Sequence, residues 1–180
     1  MKTLILFVTV LLMDTGLYAQ KLISKNGHIW FYSHTAVEDI EAHNHQSVSI
    51  LNTETGDLQF SLLIKSFEFE KKLMQEHFNE NYMESDEFPK ASFKGKIMEL
   101  ESIDLEKDGT YNVSVTGELT IHGVTKNITT EATLTVNNKK VSAKSEFVVQ
   151  PKDFNIEIPN VVEEKIAKEI DVTVELDYNN

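Results

Sequence analysis

Six histidines are the side chains in this sequence best suited to acid–base or metal chemistry, and no motif around them completes a site. His43-Asn44-His45 places two imidazoles at i and i+2, which point the same way from a strand. Zinc sites take three or four ligands, and no further ligand is placed by spacing, so the pair reads as two surface histidines. His122 lies at a strand end in Thr120-Ile121-His122-Gly123-Val124-Thr125-Lys126. A general base needs a nucleophile or an orienting partner, and the sequence offers neither. His122 reads instead as a structural residue hydrogen-bonded near a turn, with Gly123 relieving the backbone. His77 falls on a helical face and reads as a packing or solvent-facing residue. The sequence has no Gly-x-Ser-x-Gly, His-Glu-x-x-His, P-loop or Gly-x-Gly-x-x-Gly pattern, and no cysteine to serve as a thiol nucleophile. Asn112-Val113-Ser114 and Asn127-Ile128-Thr129 match the glycosylation sequon but sit within strand patterns, where they read as ordinary strand residues. The sequence therefore assigns no catalytic residue, no metal ligand and no cofactor. Burial of apolar surface is the remaining chemistry.

The elements that would position such a surface show a period of two. In 57–65, Leu58, Phe60, Leu62 and Ile64 share a face. In 111–121, Val113, Val115, Leu119 and Ile121 share a face opposite Asn112, Ser114, Thr116, Glu118 and Thr120. In 127–136, Ile128, Ala132, Leu134 and Val136 oppose Thr129, Glu131, Thr133 and Thr135. In 171–177, Val172, Val174 and Leu176 oppose four polar residues. Residues 28–34, 47–52, 92–103 and 140–149 are further strand candidates. Turn chemistry separates them at Glu54-Thr55-Gly56-Asp57, at Lys107-Asp108-Gly109-Thr110 with its Asp-Gly hairpin signal, and at Asn137-Asn138 before Lys139-Lys140. Such short connections imply antiparallel neighbours. Residues 70–82 break the pattern: Leu73, Met74, His77, Phe78 and Tyr82 recur at helical spacing, so the segment reads as a single amphipathic helix stopped before Pro89. Strands with one apolar face must turn those faces toward each other, in a sandwich or in a sheet closed into a barrel, and alternation alone does not choose.

Charge and composition narrow the partners. The net charge is −12 and every basic residue is a lysine, so nucleic acid and anionic membrane surfaces are disfavoured. Met1 and Lys2, an apolar run over 3–13, and the small-residue stretch ending at Ala19 have the order of a secretory signal peptide. The run is too short to span a bilayer, which takes about 20 residues, so no stable membrane insertion is expected. The division expected is a signal peptide over 1–19 and one domain over 20–180, secreted or periplasmic. With no cysteine there is neither a lipid-bearing thiol nor a disulfide, and the fold must stand on its core. A homodimer is compatible with these features.

Two stretches together resemble the YceI-like family. Residues 76–95 (EHFNENYMESDEFPKASFKG) are similar to its short acidic helix leading to an aromatic-Pro pair and a Phe-bearing strand. Residues 117–126 (GELTIHGVTK) are similar to its Gly-x-Leu-Thr-Ile-x-Gly-Val-Thr strand-turn-strand motif. The resemblance covers roughly 21–178. Ser66-Phe67-Glu68-Phe69 stands where many members carry an acidic pair, and the chain is shorter than many members, which suggests a trimmed first half and a shorter ligand.

The resemblance implies an all-β, lipocalin-like antiparallel barrel of about eight strands with one amphipathic helix. It also implies non-catalytic binding of a polyisoprenoid or fatty acyl lipid, an apolar small molecule, in the lumen. The lumen residues expected are Phe60, Leu62, Ile64, Phe67, Phe93, Val113, Val115, Leu119, Ile121, Leu134, Val136 and Phe147. The alternative is a secreted β-domain with a filled core that binds a protein or glycan through an exposed patch at Trp30, Phe31 and Tyr32.

Overall fold

The computed structural model describes residues 21–178; the segment expected to be a signal peptide, 1–19, lies outside the described residues. Nine strands form one antiparallel sheet: β1 (Lys21–His34), β2 (Asp39–Asn52), β3 (Asp57–Leu63), β4 (Glu68–Phe69), β5 (Lys90–Ile97), β6 (Gly109–Ile121), β7 (Val124–Asn137), β8 (Lys140–Val149) and β9 (Ile170–Tyr178). Their order is β1-β9-β8-β7-β6-β5-β3-β2, and β1 pairs again with β2, so eight strands close into a barrel. The two-residue β4 adds to β2 through Ala42 and Phe69. One short helix, α1 (Lys72–His77), completes the set. Of the two arrangements that the alternating faces allow, the β1–β2 pairing makes the structure the barrel and not the sandwich.

Closure tightens the wall where side chains are smallest. Gly95 and Gly117 face each other across β5 and β6. A β-carbon on Gly117 would run into the Gly95 backbone and lie 2.8 Å from the Phe93 ring. The two glycines therefore leave the space in which that ring lies against the wall.

The two ends of the barrel differ. At one end, residues 53–56 and 138–139 are tight turns. Asn138 and Lys139 both take left-handed backbone angles (φ 49° and 63°), as a two-residue hairpin on twisted strands requires. Leu22, Leu51, Leu100, Leu134, Val136 and Tyr178 pack there as a buried cluster. The Tyr178 hydroxyl meets Ser49 Oγ at 2.9 Å. Burial pushes its pKa up to about 12, and the Ser49 bond partly offsets this. At the other end stand the two long connections, 64–89 and 150–169, together with the turns at 35–38 and 122–123.

Several sequence expectations are corrected. The strand expected over 92–103 ends at Ile97, because Glu99 turns left-handed (φ 55°) and the following 3-10 turn, Leu100–Ser102, drives Leu100 into the closed-end core. Asp108-Gly109 is no hairpin turn: Gly109 opens β6, and the Asp108 carboxylate accepts the Asn138 amide at 2.8 Å. The single helix expected over 70–82 is one α-helical turn and a half, followed by a π-helical stretch, Phe78–Tyr82, closed by Met83 N–H donating to the Phe78 carbonyl at 2.8 Å. In the half expected to be trimmed, β1 and β2 are each 14 residues long.

Replacing Gly117 by Val forces a branched side chain into the Gly95 backbone. Overpacking of this kind costs about 1–3 kcal/mol, so the urea midpoint of Gly117→Val should fall well below that of the native chain. An unchanged midpoint would show that β5 and β6 can separate freely at this point.

Candidate functional site

The inward faces enclose a cavity of about 590 Å³. Phe60, Leu62, Ile64, Phe67, Phe93, Val115, Leu119, Ile121, Leu134 and Phe147 line it, drawn from β3, β5, β6, β7, β8 and the connection after β3. Val113 and Val136, expected beside them, belong to the packed closed-end cluster instead. Period-two geometry explains both placements: the inner face is continuous, and position along the strand decides whether a residue meets the filled end or the hollow.

The sequence reading missed much of the lining. Ile29, Phe31 and Ile40 come from β1 and β2, and Val172, Val174 and Leu176 from β9. Phe154, Ile156 and Val162 come from the 150–169 connection, and Met74, Phe78 and Met83 from the helical segment. Phe31 was expected in an exposed patch with Trp30 and Tyr32. Alternation turns it into the lumen, while Trp30 stays on the outer face. There Trp30 stacks on His28 with ring centroids 4.5 Å apart, and Lys144 Nζ stands 5.9 Å above it.

Four phenylalanines gather beneath the helical segment. Phe78 stacks on Phe31 at 5.5 Å and meets Phe67 and Phe69 edge-on or tilted at 5.6 and 5.0 Å. Through Phe78 this cluster ties the π-helical stretch to β1 and β4 by apolar contact, and α1 before it has no side-chain cap. Polar lining groups on the connections at this end are Glu38, Lys71, His77 and Lys165. Lys71 Nζ pairs with Glu38 at 3.1 Å. A cavity with an apolar wall and a few charges at one end can hold an apolar chain. It gathers no nucleophile and base.

His122 has the structural role that the sequence suggested, with partners that the sequence did not show. With Gly123 it forms the two-residue β6–β7 turn, both residues left-handed (φ 49° and 71°). Its Nδ1 lies 3.1 Å from the Phe154 carbonyl oxygen and its Nε2 2.9 Å from Glu84 Oε2. The Phe88 ring covers the imidazole at 4.4 Å and leaves no room for a β-carbon on Gly123. One hairpin thus clasps both long connections. Both ring nitrogens face oxygen acceptors, and both can donate at once only on the imidazolium.

On the outer wall, His43 and His45 are joined by His28 from β1. His28 Nε2 lies 3.0 Å from His43 Nδ1, and the His28 and His45 rings stack at 4.2 Å. The three rings lie within 20° of parallel, and the short contact pairs the His28 and His43 nitrogens with each other. Among the described residues no group of three or more His, Cys, Asp or Glu is placed to hold a metal ion. Burial, and then the neighbouring His45 and His43, lower the His28 pKa from its ordinary 6.5.

Comparison with known proteins follows this geometry. The family model described as YceI-like domain matches residues 21–178. No curated protein matches the chain. Among solved structures, a polyisoprenoid binding domain from Saccharophagus degradans has a TM-score of 0.76 at 14% identity, over 88% of this chain and 97% of that one. Burkholderia cenocepacia BcnA has 0.71 at 17%, over 85% and 96%. The Campylobacter jejuni YCEI protein has 0.57 at 15%, over 99% and 94%. At these identities the likeness shows the fold. Among the described residues no helix is long and apolar enough to cross a membrane.

Two measurements test the polar features. His122→Ala leaves the Phe154 carbonyl without its donor, so chemical denaturation should show a loss of about 1–3 kcal/mol, with Glu84→Gln costing less because Glu84 is half exposed. A native-like midpoint for His122→Ala would remove the clasp. For His28, the native state favours neutral imidazole while the unfolded chain binds the proton more readily. Stability is therefore held above pH 6.5 and declines as pH falls from there through the lower folded-state pKa. The His28 ring protons should titrate below 6.5 by NMR and move back toward it in His45→Asn. His28 is half-buried on the outer wall and still open to solvent screening, so the stability effect is small.

Proposed function

We propose that this chain, which belongs to the YceI-like family, takes a long apolar ligand into its barrel and stores or carries it in the periplasm, without catalysis. A polyisoprenoid or fatty acyl lipid is the ligand class that fits. One observation carries the reading: a cavity of about 590 Å³, walled by aliphatic and aromatic side chains, runs through the barrel to the helical end. Small-molecule sites are typically apolar cavities of about 300–1,000 Å³. The polyisoprenoid-binding domain of Saccharophagus degradans shares this fold and supports the choice of ligand. The signal-like order of residues 1–19 supports export.

The energetics suit an apolar chain. Each buried methylene contributes about 0.8 kcal/mol, so ten give about 8 kcal/mol before the cost of association. Few polar contacts are then needed. The filled-core interaction module fits less well, because the space it would fill is hollow and Phe31, one of its three patch residues, faces inward.

Native mass spectrometry of protein purified from its own secreted fraction, followed by organic extraction, tests the proposal. A co-purifying lipid of defined mass is expected. Leu62→Trp or Val115→Trp should lose it while keeping the native circular dichroism spectrum, since both residues line the cavity. Ligand-free protein that takes up neither isoprenoids nor fatty acids would overturn the reading.

A further inference from the structure

The three most exposed large apolar side chains among the described residues are Val161 (89%), Leu73 (61%) and Val37 (59%). They come from three separate segments: the 3-10 stretch Asn160–Lys165, α1, and the β1–β2 turn. All three stand at the same end of the barrel. The Lys71–Glu38 ion pair joins the start of the helical segment to the β1–β2 turn. The Ala167 amide donates to Ser33 Oγ at 2.9 Å, which draws the 150–169 connection to the end of β1. Each is also continuous with the cavity: Leu73 lines it, Val37 precedes the lining residue Glu38, and Val161 precedes Val162.

We infer that this rim is a docking surface for a lipid bilayer, and that it works by shallow apolar insertion. Single apolar side chains on three separate segments, a turn, a short helix and a 3-10 stretch, suit the yielding interfacial layer of a bilayer better than the contiguous, complementary surface of a protein. Leu73 also lines the cavity, so an apolar molecule could pass beside it between lumen and membrane without crossing water. Charge decides the kind of membrane. Lys71 is paired with Glu38 and Lys168 with Glu163 at 3.6 Å; Lys72 and Lys165 also stand in these stretches, but Glu70, Glu76, Glu157, Glu164 and Glu169 outnumber them there. The rim is therefore not cationic and the chain carries −12, so the surface fitted is zwitterionic and the attachment is weakly dependent on salt. This docking goes beyond the ligand reading and does not require it, because the rim residues are exposed whether or not the lumen is filled.

Co-flotation with phosphatidylcholine vesicles tests it. The native chain should partition onto them, equally in low and high salt, and Val37→Asp/Val161→Asp should lower the partition coefficient by about tenfold or more. Both substituted residues are exposed and neither lines the cavity, so thermal unfolding and uptake of ligand from solution should stay native. Failure of ligand uptake with intact flotation would count against the lumen and not against the rim. Three results would overturn the inference: no flotation of the native chain, flotation unchanged in the double variant, or flotation confined to anionic vesicles and lost in high salt. A native dimer that the double variant converts to monomers would assign the rim to a second copy of the chain and overturn it as well.

Discussion

Pairing between β1 and β2 closes the sheet, and the rest of the structure depends on that closure. β1 runs antiparallel to β2 from Lys21–Asn52 to His34–Asp39, and its upper half also pairs with β9 between His28 and Tyr32. Gly27 is the joint between these two regimes. The register shifts on either side of it, and a β-carbon there would strike both Leu176 and Ser47. Without closure, β1 and β2 would present bare edges, and the alternating apolar faces of all eight strands would lie open to water. With closure, every inward face meets the same interior.

That interior has unequal ends because the connections do. At one end two turns are tight and the third connection, 98–108, folds its Leu100 inward, so that Leu51, Leu100, Leu134 and Val136 fill the space. At the other end, two connections of 20 or more residues fold back over the opening, and the His122 hairpin pins both. Glu84 and Phe88 belong to the first connection and Phe154 to the second, so one imidazole and one ring contact fix their relative position. The same end carries the phenylalanine cluster, the polar lining groups and the exposed apolar rim. Segregation of filled core from covered hollow thus follows from loop length more than from strand composition.

The legible part of the sequence was the part governed by period two. The faces of β3, β6, β7 and β9 could be read directly, because alternation needs no knowledge of partners. The inner face of β1 and β2 could not. Ser24, Ser33, Asn44, Ser47 and Ser49 point inward and are fully buried, and four of them meet distant groups: Asn44 donates to the Leu63 carbonyl, Ser47 to that of Gly27, Ser33 accepts from the Ala167 amide, and Ser49 meets the Tyr178 hydroxyl. A search for alternating apolar residues passes over such strands, and it left Phe31 on the wrong face. His122 was assigned its local role from the turn, yet its acceptors lie 38 and 32 residues away and no local signal announces them. Asp108-Gly109 misled for the opposite reason. The pair is a strong hairpin signal, but Leu100 and Ile103 drew the chain to the closed-end core before it could turn back.

The hollow persists because the wall and not the filling sets its size. Strand number and stagger fix the barrel radius, and the backbone ladder resists collapse in a way that a cluster of helices does not. Inward side chains at the helical end therefore cannot close on one another, and an empty lumen leaves them short of dispersion contacts that a packed core would supply. An apolar ligand of the kind proposed would restore those contacts, and whatever binds the folded barrel but not the unfolded chain stabilises it by mass action. Capacity to bind and stability of the helical end are thus two aspects of one incompletely packed interior, held open by the hydrogen-bonded ring around it.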